Sequence, residues 1–113
     1  MTLSESMFQS QVKSLALTLK WRVYHTFDSR RSDPGFPDLV LVKPPHIIFA
    51  ELKTDAGRLR PEQKSWLDDL DLCPGVETYM WRPKDFDQIV RILTGKTQHA
   101  LPESSHRHGP SGT

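Results

Sequence analysis

Residues Gly35 to Lys53 read GFPDLVLVKPPHIIFAELK. Two runs of β-branched and large apolar residues, 39–42 and 47–50, flank the diproline Pro44-Pro45. Asp38 stands just before the first run and Glu51 just after the second, each at the end away from the prolines. Uninterrupted apolar runs of this length are the pattern of strands buried on both faces, so the stretch predicts a β-hairpin with a charged rim. A loop of Pro44 and Pro45 alone sets Lys43 opposite His46 and, counting outward, Asp38 opposite Glu51. Lys53 then falls on the same face by two-residue alternation. Diproline is not a favoured two-residue hairpin turn, and a longer loop would shift this register.

Working outward towards the N-terminus, Met7, Phe8, Val12, Leu15, Ala16 and Leu19 recur at helical spacing. Thr2, with Glu5 three residues later, reads as a capping box opening that helix. Residues 21–26 (WRVYHT) alternate large and polar side chains and predict a short strand. Residues 27–36 (FDSRRSDPGF) combine Asp, Ser, Pro and Gly and predict an exposed loop, in which Arg30 and Arg31 either grip phosphates or are simply solvated.

Towards the C-terminus, residues 54–60 (TDAGRLR) predict another loop, and Pro61 suits the first position of a helix. That helix, PEQKSWLDDLDLC, carries an apolar stripe of Trp66, Leu67, Leu70 and Leu72 or Cys73, with Gln63 in its first turn. Pro74 and Gly75 stop it. Residues 76–82 (VETYMWR) predict a strand, Pro83 opens a last helix bearing Phe86, Ile89, Val90 and Leu93, and Gly95 closes it. The order α-β-β-β-α-β-α predicts an α/β domain over residues 1–95, with a mixed central β-sheet and flanking helices. The final strand follows a helix and can join the sheet in parallel through a right-handed crossover. Residues 96–113 have few large apolar side chains and predict a disordered tail, whose His99, His106 and His108 read as solvated before they read as metal ligands.

Fifteen Lys and Arg against fourteen Asp and Glu give a formal net charge of +1, which neither demands nor excludes a polyanionic partner. The single cysteine, Cys73, can build neither a disulfide framework nor a cysteine zinc site. No apolar stretch approaches the ~18 residues of a membrane span, and the N-terminal residues lack the apolar core of a signal peptide. An intracellular, cytoplasmic protein without membrane attachment is expected.

Two carboxylates and an ammonium at a sheet rim are costly to cluster unless protonation or a cation neutralises them. Asp38 and Glu51 offer hard oxygen ligands suited to Mg²⁺ or Mn²⁺, which leave coordination positions for water and a phosphate. Lys53 can hold the attacking water and offset charge building at phosphorus. The plain alternative is a salt bridge of Lys53 with Glu51 or Asp38 on an exposed sheet edge. For Glu5, the plain alternative is a helix cap with a favourable dipole contact.

Pro37-Asp38, followed after an apolar strand by Glu51-Leu52-Lys53, resembles the PD-(D/E)XK nuclease signature. The fuller pattern of GFPD, AELK and then Gln63 on the next helix is similar to that of the VRR-NUC family, over residues 5 to 93. The resemblance implies a restriction-endonuclease-like core and a metal-dependent DNA endonuclease using one or two Mg²⁺ or Mn²⁺ ions. It makes Asp38 and Glu51 metal ligands, the Leu52 carbonyl a third, Lys53 the residue positioning the water nucleophile, and Gln63 the helix glutamine beside the active centre. Glu5 occupies the place of the first-helix glutamate that completes the metal site in related nucleases. The Pro44-Pro45 tip matches no family requirement.

In-line attack of water on a phosphodiester, leaving a 5′-phosphate, is the implied reaction. Backbone contact with DNA falls to Arg30, Arg31, Arg58, Arg60 and Lys64, which flank the site in sequence. Small stand-alone members of the family, from phage and bacteria, are similar in organisation to Holliday junction resolvases. Branched or duplex DNA and a homodimer are therefore the expected partners. The main rival is a catalytically inactive DNA-binding module of the same fold, whose sign would be a broken carboxylate set; here the set is intact. A protein-interaction domain whose rim charges only solubilise it is the third reading.

Overall fold

The first helix is set by a serine. In the computed structural model, which describes residues 3–26 and 33–96, Ser4 Oγ accepts the Met7 N–H at 3.2 Å and caps α1 (Glu5–Thr18). This corrects the expected cap at Thr2: the Ser4 hydroxyl reaches the third N–H of the helix, so Glu5 is the first helical residue. Its carboxylate still lies in the first turn, where the helix dipole favours negative charge. Phe8, Val12 and Ala16 bury one face of α1, whereas Met7 is 55% exposed and lies outside the core stripe expected of it. Arg30, Arg31 and the tail histidines His99, His106 and His108 lie outside the described residues.

Strands β1 (Arg22–His25), β2 (Leu39–Lys43), β3 (His46–Leu52) and β4 (Glu77–Trp81) form one four-stranded sheet in the order β1-β2-β3-β4. The pairs β1/β2 and β2/β3 are antiparallel, and β3/β4 is parallel, as the intervening helix requires. The hairpin turn consists of Pro44 and Pro45 alone, joined by a cis peptide bond. Lys43 therefore pairs with His46 and Leu39 with Ala50. The next positions outward are Asp38 and Glu51, the register of the shorter loop.

Leu39 and Leu41 of β2 and Ile48, Ala50 and Leu52 of β3 share one face of the sheet, fully buried under α1 and α3 (Phe86–Thr94), the latter through Ile89 and Leu93. The opposite face, with Val40, Val42, Ile47 and Phe49, is only half-buried. Full burial on both faces is thus not reached, because on that side the 11-residue α2 (Pro61–Asp71) packs mainly against β3 and β4. Helix α2 ends at Asp71, two residues short of the expected end. Leu72, at 81% exposure, and Cys73 fall beyond it and drop out of the apolar stripe that Leu67 anchors. Pro83 opens a short 3₁₀ turn (Pro83–Asp85) ahead of α3, and Gly95, at φ 78°, caps α3 in the left-handed region. The element order α-β-β-β-α-β-α and the mixed sheet agree with a restriction-endonuclease-like α/β core.

Candidate active site

Asp38 owes its place to the residues just before it. Gly35 has φ 88°, and a Cβ there would lie 2.5 Å from the Glu62 carbonyl oxygen and 2.9 Å from the Gln63 nitrogen. Only glycine lets this segment lie against the first turn of α2. The Phe36 ring meets Trp66 of α2 edge-on at 5.0 Å and Phe49 of β3 at 6.1 Å, closing the gap between helix and sheet. Thr26 then binds the chain twice, its hydroxyl donating to the Pro37 carbonyl at 2.8 Å and its N–H to the Asp38 carbonyl at 2.9 Å. The side chain of Asp38 turns to β3, where its Oδ2 accepts the Leu52 N–H at 2.8 Å.

Strand alternation points Glu51 to the α2 side of the sheet, where it is 2% exposed. Glu51 Oε2 accepts from Gln63 Nε2 at 2.9 Å, and Lys53 Nζ lies 3.9 Å from the same oxygen. Gln63 Oε1 accepts the Arg60 N–H at 2.8 Å. A backbone N–H can only donate, so it fixes the amide oxygen on its own side and presents the amide NH₂ to Glu51. Lys53 is itself 8% exposed. Glu51 Oε1 is buried and has no hydrogen-bond partner, the single such side-chain atom among the described residues.

The electrostatics follow from burial. Desolvation, and after it the negative charge of Asp38, push the Glu51 carboxyl up to about 8, against the pull of Lys53. The charge of Glu5 adds a smaller push in the same direction. Burial also raises Asp38, while the Leu52 N–H, a side-chain hydrogen bond with Glu51 and the Lys53 charge oppose the rise. A buried pair of carboxylates with one lone oxygen calls for a proton or a cation to neutralise it. The donors are hard oxygens, which suits Mg²⁺ or Mn²⁺ and the few protein carboxylates such ions take. Asp38, Glu51 and Lys53 come together as expected, and Gln63 joins them. Glu5 is exposed, and no group of three or more His, Cys, Asp or Glu side chains among the described residues is arranged to hold a metal.

Arg58, Arg60 and Lys64 are exposed beside this cluster, on the loop after Lys53 and the first turn of α2. Arg60 Nε lies 3.4 Å from Glu62 Oε2, and Lys64 Nζ 2.8 Å from Asp68 Oδ2. Solvated pairs of this kind are weak and exchange readily for a phosphate. A cleft of about 480 Å³ opens at the other end of the sheet, around the diproline tip, lined by Trp21, Lys43, His46, Glu77 and Tyr79. Both oxygens of its carboxylate, Glu77, are already engaged by Tyr79 and His46, so the unsatisfied chemistry sits at the Asp38 end.

The VRR-NUC domain family matches residues 1–82. The chain belongs to the VRR-NUC family. Every residue of the carboxylate cluster falls inside the matched span, as do GFPD and the whole of α2. VRR-NUC membership gives the chain a nuclease-type, DNA-acting function. Comparison with curated proteins and with solved structures gives no match. No helix among the described residues of this VRR-NUC chain is long and apolar enough to cross a membrane.

Sequence reasoning missed Thr26 and Arg82. Thr26 is 11 residues from Pro37, and Arg82 binds carbonyls of the loop after Lys53 at 25 to 28 residues' separation. Neither residue carries a local pattern that could have flagged it.

Proposed function

We propose that the chain is a Mg²⁺- or Mn²⁺-dependent deoxyribonuclease that hydrolyses phosphodiester bonds of duplex or branched DNA. The supporting observation is the buried, unpartnered Oε1 of Glu51 beside a second desolvated carboxylate. A buried carboxylate with one oxygen unmet, beside a second carboxylate, is costly unless a cation or proton meets it. Asp38 and Glu51, with the Leu52 carbonyl, would hold the ion. When bound, the ion supplies positive charge that polarises a phosphodiester and makes water more acidic.

The protein's own groups have separate tasks. The Leu52 N–H fixes Asp38 through Oδ2, and Gln63 fixes Glu51 through Oε2, so Asp38 Oδ1 and Glu51 Oε1 are the oxygens left for the ion. Lys53, held near Glu51, orients the attacking water and offsets charge that grows on the phosphoryl oxygens. In the reaction a water oxygen bonds to phosphorus and the bond from phosphorus to the 3′ oxygen breaks. The 3′ oxygen takes up a proton, leaving a 5′-phosphate and a 3′-hydroxyl. Arg58, Arg60 and Lys64 contact the DNA backbone, joined by Arg30 and Arg31, which precede Asp38 in sequence. Glu5 has a secondary part, since its charge reaches Glu51 from an exposed position. Symmetric cutting of a four-way junction requires two sites related by a twofold axis, so junction resolution would proceed through a homodimer.

The test is incubation with linear duplex, single-stranded, flapped and four-way-junction DNA, with and without Mg²⁺ or Mn²⁺. Metal-dependent cleavage that disappears in Asp38→Ala and Glu51→Ala, with DNA binding retained, is the expected result. Full activity in either variant, or binding without cleavage of any substrate, overturns the reading; the second outcome leaves a DNA-binding module.

A further inference from the structure

The main chain from Thr54 to Arg60 forms a strap against the Lys53 stem, held at its start by β4 and at its finish by a site residue. At the start, the Lys53 N–H donates to the Trp81 carbonyl at 3.0 Å. At the finish, the Arg60 N–H donates to Gln63 Oε1. The middle is gathered by one group. Arg82 Nη1 donates to the carbonyls of Thr54 at 2.6 Å and Gly57 at 2.7 Å, with that of Asp55 at 3.3 Å. The strap also folds on itself, Gly57 N–H donating to Thr54 Oγ1 at 3.1 Å. It lies close on the Lys53 stem, since a Cβ on Gly57 would sit 3.4 Å from Lys53 Cδ.

Arg82 is well anchored for this task. It directly follows β4, whose Trp81 pairs with Leu52, and its own N–H donates to Asp85 Oδ2 at 2.9 Å. A charged donor binds carbonyl oxygens more strongly than a neutral one; without it the half-buried Gly57 carbonyl loses this donor, and that of Thr54 keeps the Gly57 N–H at 3.2 Å. We propose that Arg82 is a positioning residue: by clamping the 54–57 carbonyls it holds the strap over Lys53 and so keeps the ammonium at Glu51. The proposal rests on the nuclease reading for its catalytic consequence and on geometry alone for the clamp.

The test compares wild type, Arg82→Ala and Arg82→Lys by steady-state cleavage and by amine labelling. An amine-reactive ester is applied to the folded protein well below its Tm, and labelling of Lys53 is read by peptide mass spectrometry against the exposed Lys64. Wild type should label Lys53 far more slowly than Lys64. In Arg82→Ala the Lys53 rate should rise about tenfold or more and kcat should fall by a similar factor with KM little changed, because small displacements of a reacting group cost rate before they cost binding. Arg82→Lys, which keeps the charge but not the planar fork, should lie between the two. Should Arg82→Ala fail to fold, Arg82→Lys carries the comparison. A merely structural role lowers Tm and moves neither the labelling of folded protein nor kcat. Unchanged Lys53 labelling, or unchanged kcat, overturns the proposal. Wild-type protein that cleaves no DNA overturns the nuclease reading instead, and the labelling ratio still decides whether Arg82 holds the strap over Lys53.

Discussion

Gln63 Nε2 donates to Glu51 Oε2 at 2.9 Å while the other end of the same amide is fixed by the Arg60 N–H. One side chain thus joins the start of α2 to the carboxylate of β3. Replacing it separates two effects. Gln63→Ala should remove about 1 kcal/mol of stability through the lost hydrogen bonds. Gln63→Glu should be worse, because it replaces the donor with a second negative charge at a buried carboxylate. Cleavage should fall in both variants, measured as kcat on duplex DNA, with chemical denaturation giving the stability change. A Gln63→Glu protein as stable and active as wild type would contradict the arrangement.

Glu51 also predicts a pH dependence of stability in metal-free protein. Its carboxyl rises from 4.5 to about 8 on folding, so the folded state binds the proton more tightly than the unfolded state. Stability from this group is complete below the unfolded value and is lost as pH rises towards the folded one. With a chelator present, Tm should therefore decline between those two values. Glu51→Gln, which cannot ionise, should flatten the decline and be the more stable protein at the upper end. If the ionised carboxylates hold a divalent ion as proposed, metal added to wild type at the upper end should raise Tm. Thermal melts across the pH series check all three outcomes.

Gly35 ties the GFPD segment to α2 through a contact that no side chain can occupy. Gly35→Ala would place a methyl group 2.5 Å from the Glu62 carbonyl oxygen at a φ that L residues rarely adopt. The expected cost is about 2 kcal/mol or more, from strain and displacement together. Because the displaced backbone includes the Gln63 nitrogen, cleavage should fall further than the stability loss accounts for under conditions where the variant is folded. Urea unfolding and single-turnover cleavage measure the two parts.

The exposed cations beside the cluster predict a salt effect. Arg58→Ala should weaken DNA binding about equally for all sequences and lower the magnitude of the slope of log K against log salt by about 0.9, the value for one phosphate contact on duplex DNA. Lys64→Ala should do the same, after release of its pair with Asp68. Fluorescence anisotropy over a salt series supplies the slopes, and an unchanged slope would remove the residue from the interface.

Much of this was legible along the chain because it depends on local order. Apolar runs at strand spacing, the prolines and glycines that punctuate them, and the placement of Asp38, Glu51 and Lys53 around one hairpin identify the α/β order and the carboxylate cluster. With a two-residue loop, counting outward from Lys43 and His46 brings Asp38 and Glu51 level, and the observed register does so. Sequence spacing also carried Gln63 to the site, since it lies in the first turn of the helix after Lys53.

Other features exist only once the chain is folded. That Ser4 rather than Thr2 caps α1 depends on which hydroxyl meets the third helical N–H. That Met7 and Leu72 are exposed depends on which elements cover each face. The orphan Oε1 of Glu51, its raised proton affinity, the aromatic wedge of Phe36, the double tie of Thr26 and the clamp of Arg82 all arise from contacts across elements. Sequence by itself determined which chemical groups this protein has and in what order they enter the sheet, because strand alternation and helix periodicity are properties of the local chain. Tertiary structure alone decided which of those groups lost water and which found a partner, because desolvation and hydrogen bonding depend on neighbours that parallel pairing and helix packing bring from tens of residues away.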